Sequence, residues 1–285
     1  MISIITVCHN SAELMSNYVN SFLKHNKNSV ANYRIEFIFV ENSGDLKTDF
    51  FAKILRENGY EARTIYVENR GFGAGCNSGA KLARGELLIF ANPDIIFASD
   101  LTQIKTHFNE SSWGTVRQIY DAGKIRAFDL LPEYRSLFTE LALLFKYLHQ
   151  FPFLYRFCYP LGSFIIIPRK AFIIEYGFDE RFFLYYEEAE LSRRLHKRLG
   201  PPKYFSNISI IHETFGSQDN YNSIFQKEAF GMVAYARITE QPLLSKSRLR
   251  TLKILSIISS NSKKRALFLR EAINAAKGNN CLSNK

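Results

Sequence analysis

The stretch NRGFGAGCNSGAKLARGELLIFANPDIIF, Asn69 to Phe97, decides how this chain folds. A strand-like run, Ala62 to Glu68, leads into Gly71, Gly73 and Gly75, and then into a short helix closed by Gly79 and Gly85. Glycine adopts positive φ at little cost and lets a backbone approach its neighbour closely. An apolar strand follows, Leu87 to Ala91, and ends in Asn92-Pro93-Asp94. A carboxylate just past the end of a buried strand stands where open α/β sheets bind ligands. The pattern predicts a nucleoside-diphosphate pocket with Asp94 as a metal-binding acid on its floor. Taken alone, an acid after Pro93 reads better as a turn residue.

Outward from this stretch, strands alternate with helices. Ile2 to Cys8, Ile35 to Glu41 and Ala62 to Glu68 are short β-branched or apolar runs bounded by polar residues, the strand signature. Ser11 to Lys24 and Lys47 to Asn58 lie between them as helices. Such alternation predicts an α/β fold whose sheet is mostly parallel and covered on both faces. Ser99-Asp100 is placed to cap another helix. Gly162 to Pro168 predicts a strand, Tyr186 to Leu199 a helix, and Lys203 to Ile211 one or two short strands before His212. Leu137 to Pro160, rich in Leu, Phe and Tyr, reads either as core helix or as a flap facing an acceptor lipid or a membrane.

Six segments occur in order: TVCHN (Thr6 to Asn10), FVEN (Phe39 to Asn42), NRGFGAGCNSG, ANPD, YGFDERFFLYYEEAEL (Tyr176 to Leu191) and IIHETFG (Ile210 to Gly216). In this arrangement the chain resembles the family 2 glycosyltransferases, specifically their rhamnosyltransferase-like branch. The resemblance covers roughly residues 1 to 216. It implies a GT-A fold and an inverting, metal-dependent transfer of a sugar from a nucleoside diphosphate to a hydroxyl. Asp94 and His212 align with the metal and diphosphate ligands, and Mg²⁺ or Mn²⁺ suits hard oxygen donors. Asn92 stands where many relatives carry the first acid of an acid-any-acid motif.

The resemblance makes Glu188 the general base, a glutamate where aspartate is usual, with Glu187 and Glu190 as helpers. Acids opening a helix are also stabilised by its dipole, so a charged first turn is the plainer reading. Donor contacts are expected from Cys8, His9, Asn10, Glu41, Asn69, Gly71, Gly73, Asn77 and Asn92. His9 replaces the usual tyrosine and could stack on a pyrimidine. Glu41 replaces an aspartate and could accept the imide N–H. Cys8 replaces a frequent threonine. The implied donor is a dTDP- or UDP-sugar, and the implied acceptor a lipid-linked glycan of a surface polysaccharide such as O-antigen or capsule.

Charge divides the chain unevenly. The net charge is +10, and residues 243 to 285 carry ten Lys or Arg against Glu271 alone. The expected organisation is therefore a glycosyltransferase domain over 1–242, with a nucleotide-sugar half (1–98) and an acceptor half (99–242), followed by a basic helical tail. The tail interleaves its charge with LKILSII and ALFL, which suits an anionic membrane surface better than nucleic acid. The alternative is a helical appendage packed on the body or on a second subunit. No apolar run approaches the ~18 residues of a spanning helix, nor does the amino terminus resemble a signal peptide. Cys8, Cys76, Cys158 and Cys281 lack metal-ligand spacing. Together these features predict a cytoplasmic enzyme at the inner membrane face.

Two other classes compete. Gly73-x-Gly75-x-x-x-Gly79 faintly suggests a dinucleotide loop, but it follows the third strand rather than the first and lacks the ribose-binding acid. A degenerate nucleotide-binding scaffold would account for the departures at His9, Glu41 and Glu188.

Overall fold

The computed structural model describes residues 1–26, 34–120, 123–134, 152–213 and 221–240. The expected tail and residues 135–151 of the apolar stretch lie outside the described residues. Strands β1 (Ile2–Cys8), β2 (Ile35–Glu41), β3 (Glu61–Tyr66) and β4 (Leu87–Ala91) form the parallel part of a nine-stranded sheet. Helices α1 (Ala12–His25), α2 (Thr48–Glu57) and α3 (Phe72–Leu82) connect them. The rest of the sheet is mixed. It comprises β5 (Ile95–Phe97), β6 (Gly114–Tyr120), β7 (Lys124–Ile125), β10 (Phe164–Pro168) and β11 (Lys203–His212). The order is β3-β2-β1-β4-β10-β6-β11-β5, with β7 beside β6. Strands from both sides of residue 98 thus share one sheet.

Alternation along the strands builds two cores. Ile2, Ile4 and Cys8 of β1, with Ile35, Phe37 and Phe39 of β2, pack under α1 and α2 against Tyr18, Phe22 and Phe51. Ile5, Val7, Ile38 and Val40 face the other way, onto Cys76 and Ala80 of α3. That second face is also covered by α5 (Arg169–Ile174) and by α6 (Glu187–Leu199), through Phe172, Leu191 and Leu195. A two-stranded ribbon, β8 (Phe128–Leu130) with β9 (Cys158–Pro160), and helix α7 (Tyr221–Thr239) complete the far side. Helix α4 (Ile104–His107) is shorter than the Ser99-Asp100 signal suggested. Asp100 instead binds Thr102, through N–H and hydroxyl, while the Ser99 hydroxyl meets that of Ser209.

The amino-terminal edge of the parallel strands is held by a buried charge. Glu36, 1% exposed, accepts hydrogen bonds from the Ser3 hydroxyl, the Arg84 N–H and the Arg63 and Arg84 guanidinia. Burial alone would push its carboxyl up, but these donors outweigh burial and hold it below the ordinary value of 4.5. Glu36→Ala leaves two arginines without their buried partner and should cost about 2 kcal/mol, below the range for fully buried pairs because both arginines are half exposed. The lowered pKa makes this contribution complete at neutral pH and lost as pH falls through the folded value. The difference between wild type and variant in urea melts should therefore shrink below about pH 4.

Candidate active site

The glycines of α3 do most of their work against protein. Gly71 has φ +102, and a Cβ there would lie 2.3 Å from the Phe183 carbonyl oxygen. At Gly73 it would meet Phe178 Cβ at 2.9 Å and Glu187 Cβ at 3.7 Å. Gly75 and Gly79 admit Val7 and Ile5 of β1 at comparable distances. Phe72 N–H donates to the Phe183 carbonyl, and Asn77 binds both N–H and C=O of Phe178. The glycine-rich helix is thus a seat for the 178–187 segment, which carries the acids into α6.

That segment arrives strained. Tyr185 and Tyr186 both adopt left-handed backbone, with φ 70 and 72. Such residues cost of order 1–3 kcal/mol each and persist only where the surroundings fix them. Here Phe182 and Tyr186 are buried with Met232 and Tyr235 of α7, and Gly231 leaves room for the Tyr185 and Leu184 carbonyls. Immediately afterwards, Glu187, Glu188 and Glu190 open α6. Glu190 is a structural acid, paired with Arg194, which also reaches the Gly177 carbonyl. Glu187 and Glu188 each keep a buried carboxylate oxygen with no hydrogen-bond partner. Burial, and then the neighbouring Glu188 charge, push Glu187 well above the ordinary glutamate range. Burial raises Glu188 to about 7. Glu188 is the more open of the two, and its Oε1 faces Gly162, 3.6 Å from where a Cβ would stand.

The Gly162-Ser163 turn leads from Glu188 to the end of β4. Asn92 N–H donates to the Ser163 carbonyl at 3.0 Å. Beyond it, β11 pairs with β5 so that His212 stands opposite Ile95, and Glu213 N–H closes on the Asp94 carbonyl. His212 Nε2 consequently lies 3.4 Å from Asp94 Oδ1. Burial raises the Asp94 pKa, opposed by the nearby imidazole. Asn92 Oδ1, Asp94 Oδ1 and His212 Nδ1 are buried without hydrogen-bond partners. The two oxygens, with the imidazole Nε2 that faces Asp94, make a donor set that fits a divalent cation whose remaining ligands a diphosphate and water would supply. Among the described residues no cluster of three or more His, Cys, Asp or Glu could hold a metal by itself.

The remaining expected donor contacts divide. His9, Asn10 and Asn69 lie exposed at one rim: His9 Nδ1 is 2.9 Å from Asn42 Oδ1, Asn42 donates to Asn69, and Asn10 N–H donates to Ser43. Cys8 and Glu41 differ from expectation. Both follow the alternation onto the α1–α2 face, where their side chains are buried. The Cys8 thiol is buried beside Met15, and the Glu41 carboxylate is taken up by Ser43 and Thr48. Gly71, Gly73 and Asn77 serve the 178–187 segment. Sequence reasoning missed Asn42 as the link between His9 and Asn69, although it ends the FVEN segment. It also missed Gly162 and Ser163; a glycine-serine pair before an apolar strand was the available signal.

A model of the family described as glycosyl transferase family 2 matches residues 3–173. The chain belongs to this family. It is therefore a nucleotide-sugar-dependent glycosyltransferase. Among solved structures it resembles the mannosyltransferase PcManGT from Pyrobaculum calidifontis, in complex with GDP-Man and Mn²⁺, at TM-score 0.58 and 13% identity, over 99% of this chain and 76% of that one. It also resembles S. aureus TarS 1–349 in complex with UDP-GlcNAc, at TM-score 0.54 and 12% identity, over 97% and 90%. GalNAc-T7 with UDP, GalNAc and Mn²⁺ gives TM-score 0.59 and 12% identity over 95% of this chain, which spans only 54% of that one. At these identities the likeness is one of GT-A fold. No curated protein matches the sequence significantly.

The seat can be tested directly. Gly44 shares positive φ, at +81, but has nothing within 4 Å of an added Cβ. Gly44→Ala should cost about 1 kcal/mol from backbone alone. Gly71→Ala should cost measurably more in thermal unfolding, and transfer should drop with it, because the Phe183 carbonyl must move.

Proposed function

We propose that this glycosyltransferase moves a hexose, rhamnose among the candidates, from a dTDP- or UDP-sugar to a hydroxyl of a lipid-linked glycan in surface-polysaccharide assembly, with inversion. The observation that carries this reading is the pair of unpartnered acid sites, Asp94 with His212 and Glu188, on either side of the Gly162-Ser163 turn. Residues 1–98 supply the donor side, joined by His212 at the diphosphate, and the rest of 99–242 supplies the acceptor side. Nucleotide sugars and Mn²⁺ in the structural neighbours support the choice of donor class and metal.

Asp94 and His212, with Asn92 beside them, would hold Mg²⁺ or Mn²⁺ against the donor diphosphate. The bound ion supplies positive charge to the departing diphosphate. His9, Asn10 and Asn69 line the rim for the nucleoside. Glu188 takes the proton of the acceptor hydroxyl as its oxygen bonds to the anomeric carbon, and the bond from that carbon to the diphosphate oxygen breaks on the opposite face. Glu187, pushed up by burial and by the Glu188 charge, leaves the proton-accepting role to its more open neighbour.

Glu188→Gln preserves size and removes basicity, so transfer should fall by about 10² to 10⁴-fold. In wild type, activity should rise with pH through about 7 as Glu188 ionises, and that limb should vanish in the variant. Asp94→Asn should abolish transfer at saturating Mn²⁺ without unfolding the protein; near-normal turnover would remove the metal assignment. A scaffold would bind nucleotide yet show no donor turnover in wild type.

The basic segment 243–285 is the reading's membrane contact. Each Lys or Arg near an anionic surface contributes about 1 kcal/mol. Full-length protein should sediment with anionic vesicles at low salt, and the chain ending at residue 242 should not. Failure of the full-length chain to sediment would leave packing on the body or on a second subunit.

A further inference from the structure

We propose that Tyr120 is a positioning residue, which sets the plane of the His212 imidazole and ties it to the turn beneath Glu188. The inference rests on the reading of Asp94 and His212 as the metal corner. It begins with register. β6 and β11 run parallel with Ile119 beside Ile211, so the next residues, Tyr120 and His212, are brought side by side at the end of both strands. Their ring centroids lie 4.9 Å apart with a 33° tilt, within the range of offset aromatic packing.

A metal-site imidazole is ordinarily oriented by a hydrogen bond on its second nitrogen, from a carbonyl or carboxylate. His212 has none: Nε2 faces Asp94 and Nδ1 is buried without a partner. Packing must therefore supply the orientation, and among the described residues the ring against His212 is that of Tyr120.

Tyr120 is itself located by a buried polar chain. Its hydroxyl lies 3.4 Å from Gln118 Oε1 and 3.5 Å from Ser163 Oγ. Gln118 donates its amide to Thr115 at 2.9 Å, which leaves Oε1 to accept from the Ser163 hydroxyl. The Ser163 carbonyl accepts from Asn92, and the adjoining Gly162 faces Glu188. One short turn thus receives contacts from the imidazole side, from the end of β4 and from the base. Tyr120 would keep the cation-binding corner in register with the acid that activates the acceptor.

Ring orientation is measurable without metal. In the NMR spectrum of the metal-free, full-length protein, the His212 ring protons, assigned by their loss in His212→Ala among the six histidines, should be displaced by the Tyr120 ring current. Tyr120→Phe should keep the displacement and Tyr120→Leu should lose it. Wild-type His212 signals at ordinary histidine positions would overturn the proposal even if the leucine variant failed to fold. Mn²⁺ binding, followed by loss of the free-ion EPR signal, should weaken at least about tenfold in Tyr120→Leu, the lower end for loss of a ligand's supporting partner, and by less than about twofold in Tyr120→Phe. Wild-type Mn²⁺ affinity in Tyr120→Leu, with binding lost in Asp94→Asn, would overturn it as well. Unchanged Mn²⁺ binding in both Asp94→Asn and His212→Ala would instead remove the metal reading, and the ring-current result would still decide whether Tyr120 orients His212.

Discussion

No side chain fits between the amino-terminal turn of α3 and the segment that delivers the acids. Gly71 and Gly73 are in contact distance of Phe183 and Phe178, and Asn77 fastens the same segment through Phe178. From this close approach follows the position of everything between Phe178 and Glu188. The left-handed tyrosines are tolerable because the segment is clamped on both sides, by α3 and by Gly231 of α7. The unpartnered carboxylates of Glu187 and Glu188 are tolerable for a related reason: packing elsewhere holds them where a solvated loop would let them turn outward.

A second constraint acts from the other end of the sheet. β10 enters antiparallel to β4, so its first residues lie beside the last residues of β4. β11 then reaches back along β5 far enough to bring His212 to Asp94, after a register shift between Phe205 and Ser209. Strand ends that are remote in sequence therefore converge on the Gly162-Ser163 turn. The parallel half of the sheet carries the rim of His9, Asn42 and Asn69, while the mixed half brings His212 to Asp94 and sets the Gly162-Ser163 turn beside Glu188.

Much of this was legible from residues alone. β1, β2 and β4 occupy the spans that their apolar runs predict, and Asp94 and His212, singled out by the motifs around them, lie side by side. The rest was hidden for physical reasons. Glycine density marks a close approach, but local sequence cannot distinguish approach of a ligand from approach of another backbone. Cys8 and Glu41 stand in motif positions, yet strand alternation turns both toward α1 and α2, where their side chains are occupied. Tyr120, Gln118 and Ser163 had no motif at all. Their meeting depends on the pairing of β6 with β11 and on the entry of β10, both long-range registers that a single sequence does not encode visibly.

In the proposed mechanism Asp94 and His212 would hold the cation on one side of this turn while Glu188 faces the acceptor on the other. Anomalous diffraction at the manganese edge, from crystals grown with Mn²⁺ and UDP, tests it most directly. One strong peak within bonding distance of Asp94 and His212, with Glu188 free of metal, is the expected result. A peak on Glu187 and Glu188, or none near Asp94 with nucleotide bound, would contradict it.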